Sequence, residues 1–517
     1  MRRWLCLFLA FCLALALPGC GQDVPSPSPS PSQDPSPVPT RSPESVRFSL
    51  GCDPTASFHP ITGDGQVNQE LTGLVYQGLY ELDGEFVPQP VLAVSGSPSE
   101  DGYSWSFTLR GGVLFSDGTP FTAQHAASSL NAARLSGPYA ARLAGVVGAA
   151  AVDDATLAVY LSAPNGDLPA LLDVPVVLEQ EDAIAPLGTG YYQYEHAGDR
   201  LFLQANPHHP ACAALPYSTI PLTAVTSADE RIAAFDSGDI TAVTTDFSSA
   251  YALGYSSSYE TCDHPTTALL YVGFKASGGP CQSPLVRQAF SRAFDREDIA
   301  QVLLSGHADP ACLPISPLHA HYSDDAAQAL SFDLEAAAAL LAQAGYERSE
   351  EDGLLYHRRT PLTLTLLVNS DNEHRQAVAD ALADALISLG ASVTVDTLPW
   401  NSYISALEAG RFDLYIGEVR LTGDFDPSVL LTGTLSYGGY PSAALTQALT
   451  EWKSAWGEAR ADAAQALWEQ FAQDAPIAPL CFKRGSLLVR WGMASNLQPT
   501  RANPFYRIEE WTTTSYS

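Results

Sequence analysis

The chain has 517 residues, of which 16% are charged: 26 Lys+Arg stand against 57 Asp+Glu, a formal net charge of −31. A 46% hydrophobic content supplies material for sizeable cores and excludes disorder throughout. The acid excess argues against nucleic-acid binding, which needs clustered Lys and Arg, and against docking on anionic lipid through a polybasic surface. Length alone suggests roughly three or four structural units.

The first element in chain order is MRRWLCLFLAFCLALALPGCGQ. Arg2 and Arg3 precede an apolar run, Trp4 to Leu17, of about fourteen residues, short of the roughly 20 needed to span a bilayer. Leu17-Pro18-Gly19-Cys20 then supplies a small-residue cleavage site, and the whole resembles a bacterial lipoprotein signal over residues 1–19, with Cys20 lipidated. An ordinary secretory signal is the alternative. Residues 20–45 are rich in alternating Pro and Ser, which cannot build a core and favour an extended polyproline II tether. Removing residues 1–19 takes away two arginines and no acids, leaving 24 basic against 57 acidic residues and a net charge of −33. Six cysteines remain beyond Cys20: Cys52, Cys212, Cys262, Cys281, Cys312 and Cys481. Six permit fifteen pairings. Cys262 with Cys281, which flank a short segment, is the favoured one.

Val46 to Leu50 reads as a first strand, and Gln66 to Gln77 carries helical spacing. Tyr80 to Ala163 is strand-rich with Asp-Gly turn signals, and Ser104 to Leu109 alternates cleanly. Thr122 is placed to cap a helix reaching Leu135. Ser227 to Glu230 is a capping box for a helix closed by Gly238, and Ser283-Pro284 opens another through Ala293. Asp333 to Ala344 is a helix ended by Gly345. Leu362–Val368, Glu373–Leu389 and Val393–Leu398 form a βαβ unit, which requires a parallel strand pair. A helix from Trp400 to Leu407, a strand from Asp413 to Val419, helices near Ala443–Trp456 and Ala459–Gln473, and strands over Leu480–Arg490 complete an α/β chain of two large lobes.

Several ordered segments resemble one family, the extracytoplasmic solute-binding proteins of ABC importers, family 5, the oligopeptide/dipeptide/nickel-binding class. They include Leu74-Val-Tyr-Gln-Gly-Leu-Tyr80, Phe107-Thr-Leu-Arg-Gly-Gly-Val113 and Phe115-Ser-Asp-Gly-Thr-Pro-Phe-Thr-Ala123. Gly188-Thr-Gly-Tyr-Tyr192, Pro284 to Phe290, Ala339 to Tyr346 and Asp424-Phe-Asp-Pro427 continue the series, and the likeness spans about residues 46–510. It implies a two-lobed periplasmic-binding-protein-like fold (type II, cluster C) with an extra inserted subdomain. The boundaries expected are lobe I at 46–78, 176–265 and 481–517, the insert at 79–175, and lobe II at 266–480. Two departures stand out. Gln124-His125-Ala126 replaces the family's Glu-Asp-Val, and Glu418 follows Gly417 where a Trp is usual.

The resemblance also marks candidate ligand-binding residues. Asp424 is the nearest counterpart of the aspartate that pairs with a peptide's α-amino group; capping of backbone N–H groups is the other role open to it. Trp400 and Tyr403 lie where the family carries aromatics near the ligand, or else pack in the core. Glu418 and Arg420 alternate on one strand end, and either select a charged ligand or form a solvated pair. The sequence contains no G-x-S-x-G, H-E-x-x-H, P-loop or G-x-G-x-x-G pattern, and no metal, cofactor or catalytic residue is assigned. The expected function is a lipid-anchored, monomeric substrate-binding protein on the outer face of the bacterial cell membrane, or in the periplasm. It would capture a peptide or related small solute and deliver it to an ABC permease. The alternatives are a non-transport surface receptor or sensor on the same fold and a secreted hydrolase. Net acidity suggests a preference for cationic or amine-bearing ligands.

Overall fold

The computed structural model describes residues 47–181, 183–250, 252–439 and 442–513. The chain divides into two compact units, residues 1–45 and 46–517. The expected signal, the lipidated Cys20 and the Pro/Ser tether lie outside the described residues.

Residues 46–517 are α/β with separate sheets. Ser104–Leu109 exposes alternate residues and buries Trp105, Phe107 and Leu109, as its sequence alternation requires. It pairs antiparallel with Thr156–Leu161 and Ala93–Pro98, and Val146–Ala151 completes this four-stranded sheet. The helix Ala123–Ala133 covers it with Ala126, Ala127, Leu130 and Ala133 buried. Thr122 caps that helix, and His125 returns a ring nitrogen to the Thr122 backbone N–H at 3.1 Å. The imidazole thus takes the part that a Glu or Gln side chain plays at the third helical position of a capping box. A second four-stranded sheet joins Leu50–Cys52, Thr219–Ala224, Arg200–Ala205 and Tyr192–Ala197.

The largest sheet has seven strands. Its centre is a long antiparallel pair, Tyr259–Phe274 against Ile477–Arg490, with Leu414–Arg420, Thr363–Asn369 and Ser392–Leu398 following on one side, and with Ala242–Thr245 and the short Ala308–Pro310 both pairing with Ile477–Arg490 on the other. Thr363–Asn369 runs parallel to Ser392–Leu398 across the helix Glu373–Ser388, the βαβ unit expected. Both faces of this sheet are covered. Leu270, Val272 and Leu366 look toward the helices Pro284–Ala293, Leu334–Gln343 and Glu373–Ser388. Leu269, Tyr271 and Leu367 look toward Trp400–Glu408, Ala443–Ser454 and Glu458–Asp474. Strands buried on two faces read as continuous apolar runs, and Thr-Ala-Leu-Leu-Tyr-Val-Gly-Phe (267–274) is one.

Three expectations need correction. The first strand is Leu50–Cys52, shifted beyond Val46–Leu50, because its pairing partner Leu222–Ala224 sets its extent. The helix over Gln66–Gln77 is two short pieces, Gln66–Glu70 and Thr72–Val75. Cys262 and Cys281 are unbonded, as are the other four described cysteines. Cys262 sits on the strand Tyr259–Phe274, and the twelve residues to Phe274 carry the chain roughly 40 Å away at about 3.3 Å per residue. Short separation in sequence becomes long separation in space because the intervening chain is a strand.

Candidate ligand-binding cleft

The central strand pair is not uniform. Tyr259–Pro265 pairs with Arg484–Arg490, Leu269–Gly273 pairs with Ile477–Phe482, and the register shifts between Pro265 and Leu269. Proline cannot donate to the ladder, so the break falls at Pro265. Side chains hold the irregular stretch: Thr266 Oγ1 donates to the Lys483 carbonyl at 2.6 Å, and Thr267 Oγ1 donates to the Leu421 carbonyl at 2.6 Å.

A cleft of about 630 Å³ opens at this break. Its lining comes from widely separated segments: Gln66–Thr72, Pro138–Arg142, Asp173–Pro175, Thr244–Asp246, His264–Ala268, Arg420–Thr422, Arg484–Gly485 and Thr500–Pro504. A smaller cavity of about 130 Å³ adjoins it, sharing Asp173, Pro175 and Ala502 and lined also by Glu81 and Asn503. The cleft wall exposes polar and apolar surface in similar amounts, and most of its residues carry side chains that can hydrogen-bond, which suits solutes bearing hydrogen-bonding groups.

The three carboxylates on the wall are each occupied. Glu70 accepts from Arg231 at 2.8 Å and from Thr244 Oγ1 at 2.6 Å. Asp246 accepts from Lys483 at 2.8 Å and from Ser248 Oγ at 2.7 Å. Burial opposes ionisation of Asp246, but Lys483 and Ser248 outweigh it and hold its pKa below the ordinary value. Asp173 is shared by two cations, Arg142 and Arg501, the latter at 3.1 Å. The wall cations differ. Arg484 is paired with Asp309. Arg420 is exposed and has no hydrogen-bond or ion-pair partner among the described residues. His264 is 8% exposed, and its Nδ1 is buried without a hydrogen-bond partner. Burial pushes the His264 pKa down to about 4, against the pull of Asp263, and the Arg420 charge lowers it further.

The candidate residues fall in different places. Arg420 is on the cleft wall. Glu418 lies behind it, accepting from Arg375 Nη2 at 2.9 Å and near Lys483 Nζ at 3.4 Å, and makes no pair with Arg420. Tyr403 is 4% exposed and donates its hydroxyl to the Ile416 carbonyl at 2.6 Å, a core position. Trp400 is 51% exposed, stacked on Tyr403 at 5.9 Å between ring centroids, and is not part of the cleft lining. Asp424 is 5% exposed, accepting from Thr422 Oγ1 at 2.5 Å and from the Asn165 amide at 3.2 Å. Burial, with Asp426 and Asp167 nearby, raises its pKa. Sequence reasoning did not single out Arg142, Arg501 or His264. The available signal was an isolated arginine in a chain poor in cations, as in Tyr139-Ala-Ala-Arg142 and Pro499-Thr-Arg501.

Asp263 also bears on chemistry. It accepts from Ser486 Oγ at 2.6 Å and contacts His307 Nδ1 at 3.0 Å. The carboxylate lies between the hydroxyl and the imidazole, and Ser486 is fully buried. Among the described residues there is no group of three or more His, Cys, Asp or Glu arranged to hold a metal ion, and no helix is long and apolar enough to cross a membrane.

Fold and topology together place an open cavity at the junction of several segments far apart in the chain. Residues 87–442 match the bacterial extracellular solute-binding proteins, family 5, and the chain belongs to that family. It is 22% identical over 504 residues to the oligopeptide-binding protein AppA of Bacillus subtilis, covering 90% of each chain. It is 27% identical over 303 residues to the glutathione-binding protein GsiB of Salmonella typhimurium, covering 56% of this chain and 59% of that one. Among solved structures it superposes on the unliganded open form of the periplasmic murein tripeptide-binding protein MppA with a TM-score of 0.73 at 22% identity, covering 89% and 95% of the two chains. NikA from Brucella suis in complex with Fe(III)-EDTA gives 0.65 at 19% identity, covering 90% and 99%. The fold is that of the periplasmic solute-binding proteins.

Proposed function

We propose that this chain is the substrate-binding protein of an ABC importer, taking a peptide or related small solute in the 630 Å³ cleft and delivering it to a membrane permease. The observation that carries this reading is the position of the cleft, at the register break of the long strand pair and walled by segments from both ends of it. The wider of the two breaks in this ladder, between Pro265 and Leu269, is where two bodies can rotate with few hydrogen bonds lost, so the lobes are taken as 46–78, 176–265 and 481–517 against 266–480, with 79–175 inserted. Solute bound to both walls favours the closed form by its differential affinity for it. The N-terminal sequence supports export and lipid anchoring at Cys20, with residues 20–45 as the tether. The relatives that bind oligopeptides and glutathione support a peptide-like ligand.

Thermal-shift and intrinsic-fluorescence titrations of the 46–517 unit against peptide pools, metal chelates and sugars test the reading. A shift of the melting curve with one class is expected. No response to any class at millimolar concentration overturns solute capture. Mass spectrometry of the chain expressed in a bacterial host, with globomycin as the inhibitor of lipoprotein processing, tests anchoring: a diacylglycerol adduct on a peptide beginning at Cys20 is expected.

A further inference from the structure

The cleft wall has a charge of its own, opposite to that of the molecule. Glu70 is engaged by Arg231 and Asp246 by Lys483, while Arg484 is engaged by Asp309. Arg142 and Arg501 share the single carboxylate of Asp173, and Arg420 has no partner among the described residues. Two positive charges therefore remain over on the wall of a cleft in a chain of net charge −31. Beside them, the His264 imidazole is buried and its Nδ1 lacks a hydrogen-bond partner. A buried polar atom left unpaired is costly unless something fills the vacancy. The surplus also comes from two directions in the chain. Arg420 ends the strand Leu414–Arg420, whereas Arg142 and Arg501 come from the segments 138–142 and 500–504.

We infer that the cleft takes an anionic solute carrying at least two oxyanion groups, with Arg420 and His264 receiving one and the Arg142–Asp173–Arg501 set receiving the other. This rests on the solute-capture reading above and narrows it to a ligand class. Guanidinium groups bind planar carboxylates in two parallel hydrogen bonds and also bind phosphoryl oxygens, so both chemistries fit. Without an anion between them, closing the cleft brings Arg420 toward Arg142 and Arg501, and like charges resist the approach. An anion turns that repulsion into attraction, so the ligand itself removes the barrier to closure. The net negative charge of the molecule does not conflict with this, because charges beyond a Debye length of about 8 Å are screened at physiological ionic strength.

Calorimetric titration with Glu-Glu, Ala-Ala and Lys-Lys dipeptides, citrate and inorganic phosphate separates the outcomes. Glu-Glu or citrate is expected to bind at least tenfold tighter than Ala-Ala, with Lys-Lys weaker still. The Arg420→Gln variant should weaken acidic binding about ten- to a hundredfold, the range for losing a charged hydrogen bond. Arg200→Gln, on an exposed hairpin outside the cleft, is the charge control. Phosphate binding lost in Arg420→Gln points to a phosphoryl ligand; carboxylate binding lost without any phosphate binding points to a polyacid. Equal or tighter binding of Ala-Ala or Lys-Lys overturns the anionic assignment while leaving solute capture standing. Unchanged acidic affinity in Arg420→Gln overturns the site. Failure of every probe and of the wider solute classes strikes the solute-capture reading instead.

Discussion

Arg420 ends a strand and Asp424 lies four residues on, in the loop that follows it, yet they end in opposite surroundings. Arg420 lies in the open cleft without a partner among the described residues. Asp424 is sealed in a junction where the segment 79–175 meets residues 421–460. There Phe86, 1% exposed, packs edge-on against Phe425 at 4.8 Å, and the Gly166 N–H donates to the Lys453 carbonyl at 2.7 Å. Asp167 pairs with Arg460 at 3.3 Å and Asn165 donates to Asp424. A Cβ on Gly166 would lie 1.7 Å from the Ala455 carbonyl oxygen, so only glycine fits there. In the junction Asp424 and Asp167 each have partners; on the cleft wall Arg420 has none among the described residues. That difference separates a charge that serves the fold from one left unpaired on the cleft wall, although both are candidate ligand contacts from the sequence.

The junction is where substitution should cost most. Phe86→Ala removes a fully buried ring from a core that holds Phe425 and Phe482, and should destabilise by about 3–5 kcal/mol. Urea unfolding measures it, and a loss under about 1 kcal/mol would mean that the ring is not packed as described. Next is Glu81, half-buried beside the cleft with the Asn503 amide donating to it at 2.7 Å. Burial pushes its pKa up to about 7, with Asn503 opposing and the charges of Asp173 and Glu509 adding to the rise. The folded state thus holds the proton more tightly than the unfolded one. Its contribution is fully present below the unfolded pKa of 4.5 and is lost as pH rises through 7. Glu81→Gln should therefore be more stable than the parent by about 3 kcal/mol at pH 8 and equal to it at pH 4. A difference independent of pH would show that Glu81 ionises normally.

Asp424 separates the two regions directly. Asp424→Asn keeps one acceptor oxygen, enough for Thr422 or for Asn165 but not for both, in a site that already favours the neutral form, so stability at pH 7 should fall by about 1 kcal/mol. Asp424→Ala strands both partners and should cost about 1–3 kcal/mol. Neither should alter solute affinity more than twofold in calorimetry. A tenfold loss in Asp424→Asn would restore the aspartate as an amine clamp.

Helices with local signals were legible from residues alone. Asp333 does cap Leu334–Gln343, accepting from the Ala336 N–H at 2.8 Å, and Gly345 closes the end at φ +89°. The long strand Tyr259–Phe274 was not, because Asp-His-Pro-Thr (263–266) reads as a turn and only the ladder to residues hundreds of positions away makes it a strand. The site shows the same division. Arg420 was visible through alternation on a strand end. Arg142, His264 and Arg501 were not, since each is unremarkable locally and their meeting is a product of topology. Asp424 misled because its motif is local but its partner, Asn165, lies 259 residues away.

The smallest expected effect on stability is the one that sharpens the comparison most. Arg420→Gln removes an exposed charge with no partner among the described residues, so unfolding free energy should change by no more than about 0.5 kcal/mol. What should change is its surroundings: with that charge gone, the buried His264 and Arg501 lose a repulsive neighbour and hold their protons more tightly. The His264 pKa, followed by NMR titration of the imidazole, should rise from about 4 in this variant. An unmoved His264 pKa would place Arg420 too far from the imidazole for the two to share one anionic group. A loss of stability above about 1 kcal/mol would instead give Arg420 a structural partner and make it, like Asp424, a residue of the fold.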